Sequence, residues 1–307
     1  MSPSPQRKPK KEKKPPWIVR LLRRRGVRLS HRTEYWLGWA ETIVEVGIIF
    51  LLTINFVTVR MTVPTGSMNP TIAPGDSFFV DILTYHFRDP VPGRVIVFWQ
   101  LEEMQVTAVE PGSPAALAGI QAKDWITKDW ITHVQYPTIG IGGEPVPAVR
   151  TADRRIEAAQ GGELAFVVLR EGVGHKELSV SVPDGVQDLR GLGIEYRTRR
   201  ERYVKRLIAV GGQTVQIVGG KIIVDGSPLA AVAERTYWTQ GAGMQYGIAP
   251  THVPRGHYFV LGDNTMNSYD SRYWGFVPEE ELIGAPFFRV WPFSRFGPMN
   301  GYWWSSL

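Results

Sequence analysis

The chain has 307 residues, 43% of them hydrophobic, no cysteine and a formal net charge of +6. The length suits two domains with a real core, and the missing cysteine excludes disulfides and thiolate chemistry. The first 32 residues carry twelve Lys or Arg against Glu12, a charge of +11, which leaves −5 for the rest; the basicity belongs to a tail, and nucleic acid is not an expected partner.

Residues 1–34 form that basic tail. Residues 35–59, "YWLGWAETIVEVGIIFLLTINFVTV", follow as an apolar stretch. Only its part from Val46 to Val59 is free of charge, which is short for a span. Glu41 and Glu45 share one helix face, and Trp36 and Trp39 suit a membrane interface. The stretch reads as one transmembrane helix in contact with lipid, its first turns at headgroup level. A cleaved signal peptide or an amphipathic surface helix are the other readings. The long basic region before the stretch and the lack of a small-x-small site after it speak against cleavage. The Lys/Arg excess puts the N-terminus in the cytoplasm and everything after Arg60 on the extracytoplasmic side of the inner (cytoplasmic) membrane.

Beyond Thr62 the text is short strands broken by Gly and Pro: "DSFFVDILTYHF", "GRVIVFW", "RYVKRLIAV", "QTVQIVGGKIIVDG" and "HYFVLGDN". "VGGKIIVDG" reads as a hairpin. The expected fold is mainly β: an antiparallel domain split into residues 60–100 and 197–297, with an α+β insert at 101–196 and an aromatic tail at 298–307. In the insert, Ser113 suits a helix cap, with Pro114 at the first position and the end near Gly119. "TADRRIEAAQ" reads as a second helix and "ELAFVVLREG" as the strand after it. This layout and "EPGSPAALAGI" resemble the PDZ domains of bacterial membrane and envelope proteases. The middle departs from that family, with a near-repeat of "KDWIT" and a lengthened "YPTIGIGG" loop. PDZ domains take extended peptides by strand addition, so the resemblance implies a peptide ligand. "GLGI" (Gly191 to Ile194) resembles their carboxylate-binding loop, although its late position implies a permuted order. Those glycines equally suit a simple join between domains.

Ser67 stands in "MTVPTGSMNPTIAPGDSFF", between Pro64 and Pro70. To attack a carbonyl, its hydroxyl needs a base. The six histidines (His31, His86, His133, His175, His252 and His257) lie in the tail, in loops or in the insert. A Ser-His-Asp triad is a spatial arrangement and stays open, but nothing recommends one. No metal-ligand spacing occurs, and neither metal nor cofactor is expected. Lys205, in "RYVKRLIAVGG", shares a strand face with Tyr203, Leu207 and Ala209. Burial there would favour the neutral amine, a competent base near pH 7; snorkelling from a strand edge is the plainer reading. A third string, "LGDNTMNSYDSRYWG", packs Asp263, Asn264, Asn267, Ser268, Asp270, Ser271 and Arg272 into one loop.

Taken together, the strings "PTGSMNPTIAPGD", "YVKRLIAVGGQTV" and "GHYFVLGDNTMNSYDSRYWGFVP" resemble, in order, the three boxes of type I bacterial signal peptidases of the Ser-Lys class. The resemblance implies Ser67 as nucleophile and Lys205 as general base. It implies Ser268 orienting the amine, and Asp270 with Arg272 holding the loop. The oxyanion would meet the Ser67 N–H and the hydroxyl of Thr65, where many members have Ser. Val63, Pro64, Tyr203 and Val204 would line pockets for small residues, giving Ala-x-Ala-like cleavage of signal-peptide-bearing precursors. The nucleophile and base boxes are further apart than is usual in the family, because the insert lies between them. An insertion at a hairpin tip leaves both ends adjacent. A self-cleaving repressor would lack the anchor and tail, and an inactive PDZ adaptor need not keep Ser67 and Lys205. A penicillin-binding reading requires Ser-x-x-Lys, but Pro70 stands at that position.

Overall fold

A computed structural model describes residues 15–56, 58–127, 140, 141, 146, 148–241 and 244–299, without the side chains of 52–56 and 140. The second KDWIT copy, His133, most of the "YPTIGIGG" loop and the tail beyond Met299 lie outside the described residues. Contacts divide the chain into a unit of residues 1–58 and a unit of residues 59–307.

The first unit is a helical hairpin. Helix α1 (Trp17–Arg24) lies inside the basic tail, where no element was expected, and α2 (His31–Phe56) carries the apolar run. The Glu41 carboxylate accepts the N–H groups of Trp17 (3.0 Å) and Ile18 (3.2 Å), so α2 caps the positive end of α1. Arg23 pairs with Glu34 at the other end. A Cβ on Gly38 would lie 3.1 Å from Pro16, so the helices approach closely there. The expected 35–59 helix begins earlier and ends earlier. Thr58 and Val59 belong to strand β1 (Thr58–Thr62), because β-branched residues fit an extended backbone better than a helix end. Ile43, Val44, Val46, Ile48, Ile49, Phe50 and Leu51 are all exposed. Among the described residues no helix is long and apolar enough to cross a membrane.

The second unit is built on antiparallel pairing. After β1 come β2 (Ser77–Asp81) and the long β3 (Val95–Val109). The strand-and-turn text "DSFFVDILTYHF" is β2 followed by a 3-10 turn, which Asp81 caps by accepting the N–H groups of Leu83 and Thr84. The insert supplies α3 (Pro114–Ala118), β4 (Trp125–Thr127), β5 (Gly140–Ile141), α4 (Val149–Ala158), β6 (Gly162–Arg170) and β7 (Gly174–Val182). Strand β8 (Ile194–Val210) then runs antiparallel to β3 over its whole length, from Val95 opposite Arg206 to Val109 opposite Ile194. Next come β9 (Thr214–Val218), β10 (Lys221–Val224), β11 (Ser227–Pro228) and β12 (Thr251–His252), which make a small second sheet. The turn between β9 and β10 is Gly219-Gly220, both at positive φ, as a tight hairpin requires. Strand β13 (His257–Leu261) pairs with β8 and with β14 (Val277–Pro278) around α5 (Ser271–Trp274). Strand β15 (Leu282–Trp291) joins β2 to β3, and β16 (Gly297–Pro298) pairs with β15.

Alternate residues of β3 enter different cores. Val95 and Val97 pack with Met61, Val63, Met68, Phe78 and Val204; Ile96 and Phe98 pack with Leu207, Tyr258, Val260 and Trp274. Burial on both faces explains why "VIVF" is continuously apolar rather than alternating. A third cluster, around Ile126, Phe166, Leu178 and Leu192, draws all its members from residues 101–196. In the insert Ser113 caps α3 by accepting the Ala116 N–H (3.2 Å), Pro114 opens the helix and Gly119 closes it in the left-handed conformation. The "GLGI" loop packs against this turn, with Ala115 N–H donating to Leu192 O and Glu110 N–H donating to Gly193 O.

Candidate active site

The segment between β1 and β2 is a tethered loop. Val63 N–H donates to Asp76 O (3.0 Å) and Gly75 N–H to Val63 O (2.7 Å), closing its neck. Met68 and Ile72 are fully buried and anchor its middle. The third string fixes Ser67 from the other side: Asn264 N–H donates to Ser67 O (3.0 Å) and Asn264 Nδ2 to Gly66 O (3.1 Å). Ser67 itself stays half-exposed.

Lys205 comes from the middle of β8. The ladder sets it opposite Ile96 and sets Tyr203 opposite Phe98, so its stem lies on the apolar face that also carries Leu207. It is 4% exposed, and its Nζ donates to Ser67 Oγ at 2.8 Å. Its pKa falls from 10.5 to about 8, chiefly through burial; Asp270 opposes the fall, Arg272 adds to it and Asp263 opposes it again. The minor neutral fraction present near neutrality, already bonded to a hydroxyl, can take that hydroxyl's proton. Among the described residues no histidine bonds Ser67. The snorkelling reading of Lys205 is excluded by its burial.

The third string packs directly against Ser67. Gly262 permits this, since a Cβ there would collide with Ser268 and with Ser67 O. Its N–H donates to Asp270 Oδ2 (2.9 Å). Asp270 and Arg272 are both fully buried and form a forked pair, Nε to Oδ1 at 2.8 Å and Nη2 to Oδ2 at 2.9 Å. Arg272 also donates to Trp238 O, Thr265 O and Ser268 O, tying the loop together from inside. Ser268 Oγ is buried beside the dyad and has no hydrogen-bond partner, so the expected contact with the Lys205 amine is not made here.

The remaining expected residues separate. Thr65 and Pro64 are exposed, Tyr203 is half-buried with Lys205 Nζ 5.2 Å from its ring centre, and Val63 and Val204 are buried in one cluster. Sequence reasoning gave Asn264 no role and missed a second buried ion pair. Arg206, next to Lys205 but on the opposite strand face, donates through Nε to Asp263 Oδ1 at 2.6 Å, and Arg235 Nη2 reaches Asp263 Oδ2 at 3.2 Å. Thr71 Oγ1 bonds the same carboxylate. The signal was the buried Asp in "GDN", but its partners lie far away in sequence.

A family profile described as "Signal peptidase, peptidase S26" matches residues 36–128 and 132–291. The signal peptidase I of Leptolyngbya laminosa is 41% identical over 100 residues, 33% of this chain and 46% of that protein. The probable signal peptidase I-2 of Synechocystis sp. is 24% identical over 262 residues, 85% of this chain and 76% of that protein. The probable signal peptidase I of Mycobacterium leprae is 28% identical over 296 residues, 87% of this chain and 79% of that protein.

Proposed function

Because the chain belongs to the signal peptidase family, peptidase S26, we propose that it is a membrane-bound serine endopeptidase that removes signal peptides from exported precursors through a Ser67–Lys205 dyad. The observation that carries this reading is the 2.8 Å contact between the Lys205 amine and the Ser67 hydroxyl, with the amine buried. The neutral amine takes the Ser67 proton as Oγ attacks the scissile carbonyl carbon. The resulting oxyanion meets the Ser67 N–H and the Thr65 hydroxyl. As the tetrahedral species collapses, the C–N bond breaks and the Lys205 ammonium gives its proton to the leaving amine. Water then attacks the acyl-Ser67 ester, with Lys205 again as base, and the signal peptide leaves with a new carboxylate. Ser268 orients the amine once substrate excludes water, and Asp270 with Arg272 keeps the loop in place.

In this reading Val63, Pro64, Tyr203 and Val204 shape shallow pockets that favour Ala-x-Ala-like ends. Helix α2 is the membrane anchor, supported by the apolar run and the basic residues before it. The N-terminus is then cytoplasmic and the catalytic unit extracytoplasmic. Residues 101–196 are a PDZ-like module that takes peptide segments of exported proteins, supported by "EPGSPAALAGI" and by an apolar core of their own. Detergent-solubilised protein with a secretory precursor tests the central reading, the products being weighed by mass spectrometry. Wild type should cut once, after a small residue at the signal-peptide boundary, and Ser67→Ala should leave the precursor intact. Equal cleavage by both proteins would sink the proposal.

A further inference from the structure

Behind the nucleophile loop, away from Ser67 Oγ, lies a cavity of about 770 Å³ lined by Arg94, Arg206, Arg235, Arg289 and Arg295. No acidic residue is among the described residues that line it. Two buried carboxylates stand against these five guanidinium groups. Asp263 pairs with Arg206 and Arg235, and Asp76 pairs with Arg289 (3.2 Å) and Arg295 (2.9 Å). Arg206, Arg235, Arg289 and Arg295 thus share two carboxylates, four positive charges against two negative ones. Arg289 Nε is buried 3.2 Å from Asp76 Oδ2 without hydrogen-bond geometry, so this donor is held by charge alone.

We propose that this cavity is a binding site for a phosphate group. Guanidinium forks match tetrahedral oxyanions, whose several acceptor oxygens can serve many donors at once. A single carboxylate would leave charge over; a phosphate satisfies more of it. The volume exceeds that of a free phosphate, and Val91, Pro92, Pro286 and Met299 add apolar wall beside the charged one. A phosphorylated headgroup with part of its glycerol therefore fits as well as the free ion. Pro70 and Thr71 of the nucleophile loop also face the cavity, and Arg295 Nη2 donates to both of their carbonyls (3.3 and 3.1 Å). An anion held here braces the loop that carries Ser67.

The test is calorimetric titration of the full-length protein in neutral detergent, at constant ionic strength. One titrant is inorganic phosphate and the other a micelle-soluble short-chain phosphatidylglycerol. At least one should bind saturably, one site per chain. Arg94→Gln and Arg235→Gln, each checked for folding by circular dichroism, should weaken that binding about tenfold. Arg94→Lys, which keeps the charge and loses the fork, decides if a glutamine variant does not fold; it should weaken binding less. Binding of phosphate that the lipid displaces assigns the shared site. Binding of only one titrant assigns its source. No saturable binding of either, or binding that folded variants leave unchanged, overturns the proposal.

Discussion

The two ends of the β3–β8 pair sit in different kinds of interior. At one end, Leu101, Met104 and Val106 of β3 and Ile194 of β8 enter a core that is almost wholly apolar, with Asp124–Arg170 as its buried ion pair (2.7 Å). At the other, Lys205 and Arg206 are buried side by side near Asp263, Asp270 and Arg272. Burying charge costs free energy unless it is fully paired. The apolar end is what a sequence does when it only needs to fold. At the charged end, four of the five ions are paired with one another and the fifth, Lys205, is left with a hydroxyl. In the proposed mechanism, that unpaired amine is where stability is given up for chemistry.

The largest effect should come from Lys205→Met. Turnover should fall by up to about 10⁴-fold, the upper range for loss of a general base. Stability should rise. The amine's folded-state pKa of about 8 lies below its ordinary 10.5, so burial opposes folding while the lysine is charged in the unfolded chain. The gain should be fullest below pH 8, up to about 3 kcal/mol, and vanish as pH rises past 10.5. Urea unfolding at pH 7 and pH 10.5 measures this, and an unstable variant at pH 7 would contradict it.

Thr65→Val comes next. It keeps the side-chain shape and removes the proposed donor, so turnover should drop about 10²–10³-fold, while Thr65→Ser stays close to wild type. Harmless valine would mean that the second oxyanion donor lies elsewhere.

Two core substitutions sharpen the comparison itself. Arg272→Leu leaves Asp270 buried without its partner and should cost about 3–5 kcal/mol, with catalysis lost as the loop loosens. Phe166→Ala, in the mostly apolar core, should cost a similar amount, about 3–5 kcal/mol, yet confine it to residues 101–196. Hydrolysis of a short signal-peptide substrate should then survive Phe166→Ala and fail with Arg272→Leu. If both fail together, the two interiors are not separable.

The smallest effect on chemistry is expected from replacing residues 102–199 with a Gly-Ser hairpin. Leu101 and Arg200 are cross-strand partners, so a short turn can close there. Cleavage of a short peptide should be near wild type, and cleavage of some full-length precursors should weaken because remote binding is lost. Unchanged cleavage of every precursor would make the insert a spacer.

Much of this was legible in the sequence. The three strings carry Ser67, Lys205 and the Asp270–Arg272 loop because each is local text with fixed spacing. The Ser113 cap and the Gly219-Gly220 turn were readable for the same reason. Arg206–Asp263 was not, since its partners are 57 positions apart and only the fold pairs them. Helix α1 was hidden because the Lys and Arg of the surrounding tail dominate the composition, and its cap, Glu41, comes from another helix. Residues 58 and 59 continue an apolar run that hydropathy alone cannot end. The Ser268 hydroxyl shows the limit of motif transfer: the residue is in place, while its expected bond is not made.

The most direct test of the Ser67–Lys205 account is the pH dependence of kcat/KM, which reports the free enzyme's essential groups. The account predicts a rise with an apparent pKa near 8, set by burial of the lysine, and no such limb in Lys205→Met. A limb near 6.5, the ordinary value for histidine, that persists in Lys205→Met would contradict it.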